Sequence, residues 1–285
     1  SCQVCCGVIL GIFQAWHKCK TCNYCCHKKC LSDITRTCTT AKISENPCFT
    51  MNICPEQGLH QQNYRCYECK AAIGFQPSTN EARQCDYDGL FYCNKCHWND
   101  SMAIPARIVY NWDFDLKKVC RASKSFLRMM SNRPVINIQT INPMLFTYLE
   151  ELNEVKNRRI EILMMKKFFV ECPRARKEKL LTKLQHRPHF VDGSDVYSVN
   201  DLLDLTNDIL LPEITRIHAS YVQHIKYECE TCQQKGQRCM ICRHESGGDL
   251  LFPFDCTATV CPKCSCLMHL HCYQMKNQIC PNCSS

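Results

Sequence analysis

Helical spacing of apolar residues is concentrated in the middle of the chain. Leu145, Tyr148, Leu149, Leu152 and Val155 recur at intervals of three and four, the period of a helix with one buried face. Asn142 followed by Pro143 supplies an N-cap and a first-turn proline for it. The pattern continues to about Val170 and predicts a rod of roughly 40 Å at about 1.5 Å per residue. Ser198 with Asp201 resembles a capping box, with Asp where Glu is usual. It predicts a helix through Leu202, Leu203, Leu205, Ile209 and Leu210. Pro212 opens another, with Ile214, Ile217, Tyr221, Val222 and Ile225 as its apolar stripe. These stripes, with Phe168 and Phe169, read as core. Asn46-Pro47 and Cys54-Pro55 are breakers that mark 39–63 as a linker. The longest apolar run, Ile160 to Val170, is short and carries Lys166 and Lys167, so no transmembrane span is predicted.

Cysteine organises the flanks. The chain has 29 cysteines in 285 residues. Cys2/Cys5, Cys19/Cys22, Cys66/Cys69, Cys93/Cys96, Cys229/Cys232, Cys239/Cys242, Cys261/Cys264 and Cys280/Cys283 are Cys-x2-Cys knuckles. From 119 to 225 only Cys120 and Cys172 occur. Disulfides do not require this spacing, the count is odd, and no signal peptide is visible. Zinc held in a reducing cytosol is the better reading. The chain does not begin with Met and reads as a fragment.

The formal charge of +8 is local in origin. Lys156 to Arg187 holds 11 Lys/Arg and 3 Glu, which equals the whole excess. A four-thiolate zinc site carries a charge of about −2 and a three-thiolate, one-histidine site about −1. Five such sites bring the loaded chain near neutrality. The basic segment then suggests an acidic partner, an anionic membrane surface, or simply a solvated helix face.

Three constellations have metal-ligand spacing. The first is Cys2-x2-Cys5-x13-Cys19-x2-Cys22-x4-His27-x2-Cys30-x7-Cys38, with Cys6, Cys25 and Cys26 out of register. The second joins Cys66/Cys69 to Cys93/Cys96 as a ribbon-like site of four thiolates. Cys85 and His97 are candidates for a further site nearby, ahead of Cys54 and His60, while Cys48 is unassigned. The third is Cys239-x2-Cys242-x18-Cys261-x2-Cys264-x4-His269-x2-Cys272-x7-Cys280-x2-Cys283. Its alternating pairs suggest a cross-brace, with Cys239, Cys242, His269 and Cys272 on one zinc and Cys261, Cys264, Cys280 and Cys283 on the other. His269 is preferred to His271 by its spacing to Cys272, and Cys266 is left over. Cys229/Cys232 is a surplus pair for which Cys256 and His224 are the guessed partners. Closed four-ligand sites leave no position for a water, so the metals read as structural rather than catalytic. Segments this short bury too little apolar surface to fold alone. Five zinc sites are expected, rising to six or seven if Cys85/His97 or Cys229/Cys232 also close.

The first constellation resembles the phorbol-ester/diacylglycerol-type zinc finger. That resemblance implies interleaved pairing, with Cys2, Cys5, His27 and Cys30 on one zinc. Cys19, Cys22 and Cys38 would hold the other and lack a fourth ligand, which in that family is an upstream histidine. Ala15 and Trp16 stand where lipid-binding members carry Gln and Gly, although Gly11 is kept. The resemblance therefore implies an atypical finger with weak or no diacylglycerol binding.

A longer resemblance lies between the knuckles. Tyr64-Arg-Cys-Tyr-Glu-Cys69, Arg83-Gln-Cys-Asp-Tyr-Asp-Gly89 and Tyr92-Cys-Asn-Lys-Cys-His-Trp98 lead into Ile104-Pro-Ala-Arg107 and Asn111-Trp-Asp-Phe114. Ile141-Asn-Pro143, Tyr197-Ser-Val-Asn-Asp-Leu202, Gln234-Lys-Gly236 and Phe252-Pro-Phe254 follow in order. Together they resemble the Rubicon-homology domain. The implied organisation is a finger over 1–38, a linker over 39–63 and the homology domain over 64–285. The last divides into a zinc subdomain (64–118), a helical region (119–227) and a zinc module (228–285). The expected fold class is thus small zinc-stabilised α+β modules at both ends of an α-helical middle, the C-terminal one cross-braced like FYVE, plant-homeodomain or RING fingers.

The resemblance implies a non-enzymatic adaptor that binds a late-endosomal Rab GTPase and works with a pleckstrin-homology family M adaptor. It would sit peripherally on late endosomes or lysosomes and act in lysosome positioning or endolysosomal trafficking. A RING-class ubiquitin ligase is the alternative, raised by Cys280-Pro-Asn-Cys283. Against it, Cys264 stands where a RING usually has His, and four residues separate it from His269. A membrane-lipid-binding signalling protein is the other alternative. No nucleophile–base pair or phosphate loop is visible. Nucleic-acid binding is not expected, because the basic segment lacks interleaved exposed aromatics.

Overall fold

The computed structural model describes residues 1–55, 57–76, 80–242 and 250–283. The chain divides into two compact units, Ser1–Pro143 with Tyr197–Leu203, and Met144–Val196 with Asp204–Ser285.

The first unit is built from very short elements. Trp16–Lys18 pairs antiparallel with Cys25–His27, Arg83–Gln84 with Phe91–Tyr92, and Asp100–Met102 with Lys117–Val119. Strand pairs this short are not stable by themselves. Their apolar support comes from two helices. Pro105–Asn111 buries Ile108 and Val109, and Arg121–Met130 buries Phe126, Leu127 and Met130. Parts of the expected linker pack into this unit. Helix Thr39–Glu45 buries Ile43, and Phe49 packs edge-on against Phe126 at 6.2 Å. Gly89 closes the turn before Phe91–Tyr92 with φ +73°, and a Cβ there would lie 2.0 Å from the Pro55 carbonyl oxygen. Only glycine fits both constraints.

The second unit is organised by helix Glu150–Glu171. The predicted rod begins later than expected. Leu145–Tyr148 is a separate turn, and Leu149 is extended at φ −114°, ψ 100°. The 22 residues that remain span about 33 Å. Asn142 does not cap this helix. It follows helix Ile138–Ile141, and its side chain donates to the Val109 carbonyl at 2.9 Å. Tyr148, counted in the apolar stripe, is exposed, whereas Leu152 and Val155 are buried. Helix Leu210–Gln223 packs along the long helix through Ile214, Ile217 and Tyr221. It starts two residues before Pro212, and Ile209 is left in solvent. The Ser198–Asp201 box forms as predicted. The Asp201 carboxylate accepts from the Ser198 N–H at 2.7 Å, and the Asp201 N–H donates to the Ser198 hydroxyl at 3.1 Å. Its helix, Val199–Thr206, ends before Ile209.

The basic segment is largely neutralised within its own unit. Lys156 pairs with Asp195, Arg158 with Glu154 and Glu161, Lys166 with Asp192, Arg174 with Glu178, and Arg187 with Asp204 and Glu213. Arg159 is fully buried. Its guanidinium donates to the carbonyls of His189, Gly193 and Val196 and lies 4.0 Å from the Phe190 ring centroid. Much of the sequence's apparent cationic stripe is therefore internal scaffolding. Among the described residues no helix is long and apolar enough to cross a membrane.

Candidate metal centres

Among the described residues, at least five sets of four side chains place one ligand atom each within 4.8 Å of all the others. A tetrahedral zinc with bonds of about 2.3 Å to sulfur holds two sulfurs about 3.8 Å apart. A disulfide would hold them at about 2.05 Å, and no described cysteine is disulfide-bonded. The gathered thiols match the metal spacing. Cys69 and Cys93 lie 3.6 Å apart, Cys172 and Cys229 3.5 Å, and Cys264 and Cys280 3.6 Å. These clusters can hold metal ions, and their thiolate and imidazole donors suit zinc.

The first set is Cys2, Cys5, His27 and Cys30, as the finger resemblance implied. His27 ends the strand Cys25–His27 and turns Nδ1 toward Cys5 at 3.4 Å and Cys30 at 4.0 Å. Its other nitrogen donates to the Val8 carbonyl at 3.1 Å, which fixes the tautomer. Burial disfavours a charged Cys2 thiol, yet backbone N–H groups of Cys5, His27 and Val4 hold it down to about 6. A thiolate ligand is thereby favoured before a metal arrives. Cys19, Cys22 and Cys38 also converge. Cys19 Sγ lies 3.9 Å from Cys38 Sγ, and the Thr21 hydroxyl lies 3.2 Å from Cys19 Sγ.

The ribbon set, Cys66, Cys69, Cys93 and Cys96, is assembled as predicted. Cys85 and His97 find separate partners. Cys85 is buried against the Cys120 thiol, which, ahead of burial, raises its pKa. His97 Nδ1 accepts from the Asn99 N–H at 3.1 Å. Cys120 continues to Ser123, whose hydroxyl donates to Asp88, as does that of Tyr92. Cys85 thus reads as part of a buried polar network, whereas His97 Nε2 is buried with no hydrogen-bond partner.

In the second unit, Cys239, Cys242, His269 and Cys272 form the expected set, with His269 Nδ1 3.4 Å from Cys242 and 3.8 Å from Cys272. His271 is exposed. The other expected set differs in one member. Cys261, Cys264, Cys266 and Cys280 are gathered, so the thiol left over in the sequence is inside the cluster. Cys266 lies 3.3 Å from Cys264 and 3.4 Å from Cys280, while Cys283 lies 3.8 Å from Cys261. Five thiols thus surround a site that needs four.

The surplus pair Cys229/Cys232 is completed by His224 and Cys172. Of the two expected partners, His224 joins this set and Cys256 does not. Leu210–Gln223 ends in a π turn, His224–Glu228, a widening common at functional sites. His224 Nε2 lies 3.6 Å from Cys172 and 3.7 Å from Cys232. Its Nδ1 faces Glu178 at 3.8 Å, a carboxylate behind a metal-ligating imidazole. Burial keeps His224 in the neutral form that ligates. Cys172 follows the long helix and N-caps Pro173–Lys177 through the Ala175 N–H. A lone cysteine in a helical stretch carries no spacing signal, so Cys172 could not be assigned by spacing.

The two cysteine-rich ends share one plan. A single constant offset in numbering carries Cys19, Cys22, His27, Cys30 and Cys38 onto Cys261, Cys264, His269, Cys272 and Cys280. The same offset carries strands Trp16–Lys18 and Cys25–His27 onto Ala258–Val260 and Leu267–His269, and helix Lys28–Asp33 onto Leu270–Met275. In both copies the histidine's N–H donates to the first knuckle sulfur, at 3.4 Å for Cys2 and 3.3 Å for Cys239. Cys283 corresponds to Ala41, so the N-terminal copy has three thiols where the C-terminal copy has five.

A family model, Rubicon Homology Domain, matches residues 83–285. The chain belongs to that family. It is 38% identical over 291 residues to the Differentially expressed in FDCP 8 homolog of Caenorhabditis elegans, covering 99% of this chain and 59% of that protein. It is 34% identical over 283 residues to the homolog of the same name in Drosophila melanogaster, covering 99% and 57%. The chain thus spans somewhat over half the length of these relatives.

Proposed function

We propose that this chain is a zinc-scaffolded, non-enzymatic adaptor that binds a late-endosomal Rab GTPase and acts in lysosome positioning or endolysosomal trafficking. Its place is peripheral, on late endosomes or lysosomes, and a pleckstrin-homology family M adaptor is the expected co-worker. Membership of the Rubicon homology family over residues 83–285 carries this reading. The metal clusters support the non-enzymatic part. Each four-residue set offers four protein donors, which fills a tetrahedral zinc and leaves no position for a reacting water. Bound zinc would stabilise the short strand pairs.

The test is a pull-down of the zinc-loaded chain with a late-endosomal Rab carrying either a GTP analogue or GDP. Retention only in the GTP-analogue state is expected. Equal or absent retention in both states would remove the effector reading.

A further inference from the structure

The second unit leaves part of its positive charge unpaired, and leaves it in one place. Lys156 to Arg187 contains 11 Lys/Arg. Lys156, Arg158, Lys166, Arg174 and Arg187 pair with carboxylates, and Arg159 is buried among carbonyls. Lys167, Arg176, Lys177, Lys179 and Lys183 remain, and among the described residues none of them forms an ion pair. Lys183 donates to the Ser220 hydroxyl at 3.1 Å, a neutral acceptor. The nearby acids are engaged elsewhere, Glu171 with Lys235 and Glu178 with Arg174. Folding thus gathers the excess of the basic segment into residues 167–183. Like charges collected without counterions favour an anionic partner.

The shape beside these cations says what carries the negative charge. A cavity of about 460 Å³ has the buried Phe169, Ala175 and Leu180 in its apolar lining, and Arg176 and Lys179 line it too. Lys177 and Lys183 adjoin lining residues in sequence, and Lys167 lies one helical turn before Val170. Phe169 meets Tyr221 edge-on at 4.8 Å, and the Tyr221 hydroxyl donates to the Leu180 carbonyl at 2.8 Å, so the apolar wall is fixed from behind. Lys179 holds φ +51°, a conformation that glycine adopts at far less cost. Its ammonium is therefore carried where the backbone alone would favour glycine. A bilayer surface would need apolar side chains that project, and among the lining residues only Val170 is a large exposed hydrophobe. A nucleic acid would need an exposed aromatic, and Phe169 is 2% exposed. A concave apolar recess with a cationic rim fits a peptide side chain flanked by carboxylates. We propose that this recess docks an acidic peptide segment of a partner protein, with one aliphatic side chain entering over Phe169 and Leu180 and flanking carboxylates meeting Arg176 and Lys179. The contact is additional to the GTPase contact and does not depend on it.

Fluorescence anisotropy of the zinc-loaded full chain with labelled synthetic peptides tests this. One peptide carries a leucine flanked on both sides by glutamates, a second has glutamines for the glutamates, and a third has alanine for the leucine. The first should bind saturably below about 1 mM, and each replacement should weaken it about tenfold or more. Arg176→Glu with Lys179→Glu should weaken the first peptide about as strongly, with zinc content and circular dichroism unchanged. Lys276→Glu, exposed and outside the recess, should not. Should the double variant lose zinc, Lys179→Gly serves. It removes the ammonium while relaxing the backbone, so binding should fall without loss of thermal stability. No saturable binding of the first peptide, equal binding of the glutamine peptide, or equal binding by wild type and the recess variants overturns the proposal. So does binding to phosphatidylserine vesicles that the recess variants lose while no peptide binds, which would assign the face to a membrane. The recess variants should keep GTP-dependent Rab retention, so failure here is distinguishable from failure of the effector reading. Loss of that retention would make the recess part of the GTPase contact and overturn the peptide assignment.

Discussion

His224 Nε2 lies 3.6 Å from the Sγ of Cys172, although the two residues are 52 apart in sequence. The contact ties the C-terminal end of the long helix to the π turn after Leu210–Gln223 and completes a four-ligand set with Cys229 and Cys232. Structural zinc supplies on the order of 10–16 kcal/mol in finger peptides, comparable with the whole stability of a typical domain. His224→Ala or Cys172→Ser should therefore lose one zinc per chain by elemental analysis and melt at a lower temperature. Cys256→Ser should do neither. Intact protein should carry about six zinc ions, five in full sets and one on Cys19, Cys22 and Cys38. A strong chelator should abolish cooperative melting, and unchanged melting after verified zinc removal would contradict a structural role.

Gly89→Ala should destabilise the first unit. The substitution puts a Cβ at φ +73° and against the Pro55 carbonyl. The conformational cost and the backbone clash together suggest a loss of about 2–3 kcal/mol. Urea denaturation measures it, and a change within about 0.5 kcal/mol would show that the turn relaxes freely.

Arg159→Met should cost about 2–4 kcal/mol, because it leaves the Gly193 and Val196 carbonyls without their charged donor. Arg159→Lys should recover only part, since one ammonium cannot reproduce the fork. Chemical denaturation ranks the three proteins. Equal stability of the methionine variant would mean that packing alone holds residues 189–196.

Glu161 contributes a pH-dependent increment. Burial favours its neutral form, but the hydrogen bond and charge of His218, followed by Arg158, hold the carboxyl below its usual range. A carboxyl depressed on folding stabilises above its unfolded value, and that increment is lost as pH falls through the folded value. Glu161→Gln should thus be less stable than wild type by about 1 kcal/mol at neutral pH. The difference should shrink on acidification below about pH 4.3. Paired denaturation curves at descending pH test this, and a gap that widens in acid would sink it.

Donor clusters were readable from spacing where ligands are close in the chain. A Cys-x2-Cys knuckle or His-x2-Cys pair brings its donors together through local turns, so the pairs themselves were legible as spacing, as were Cys66/Cys69 with Cys93/Cys96 and Cys239/Cys242 with His269/Cys272, while Cys2/Cys5 with His27/Cys30 followed from the finger resemblance. The Ser198–Asp201 cap was legible for the same reason. Tertiary structure alone decided the partners that local geometry cannot reach. Cys172 joins His224 only because two helices pack and one ends in a π turn. Cys266 enters the terminal cluster because the hairpin Ala258–Val260 with Leu267–His269 folds its thiol inward beside Cys264 and Cys280. Composition likewise counted Arg159 and Arg176 as equal charges. Folding buries the first among carbonyls and leaves the second exposed beside a recess, because burial and pairing depend on which distant segments meet.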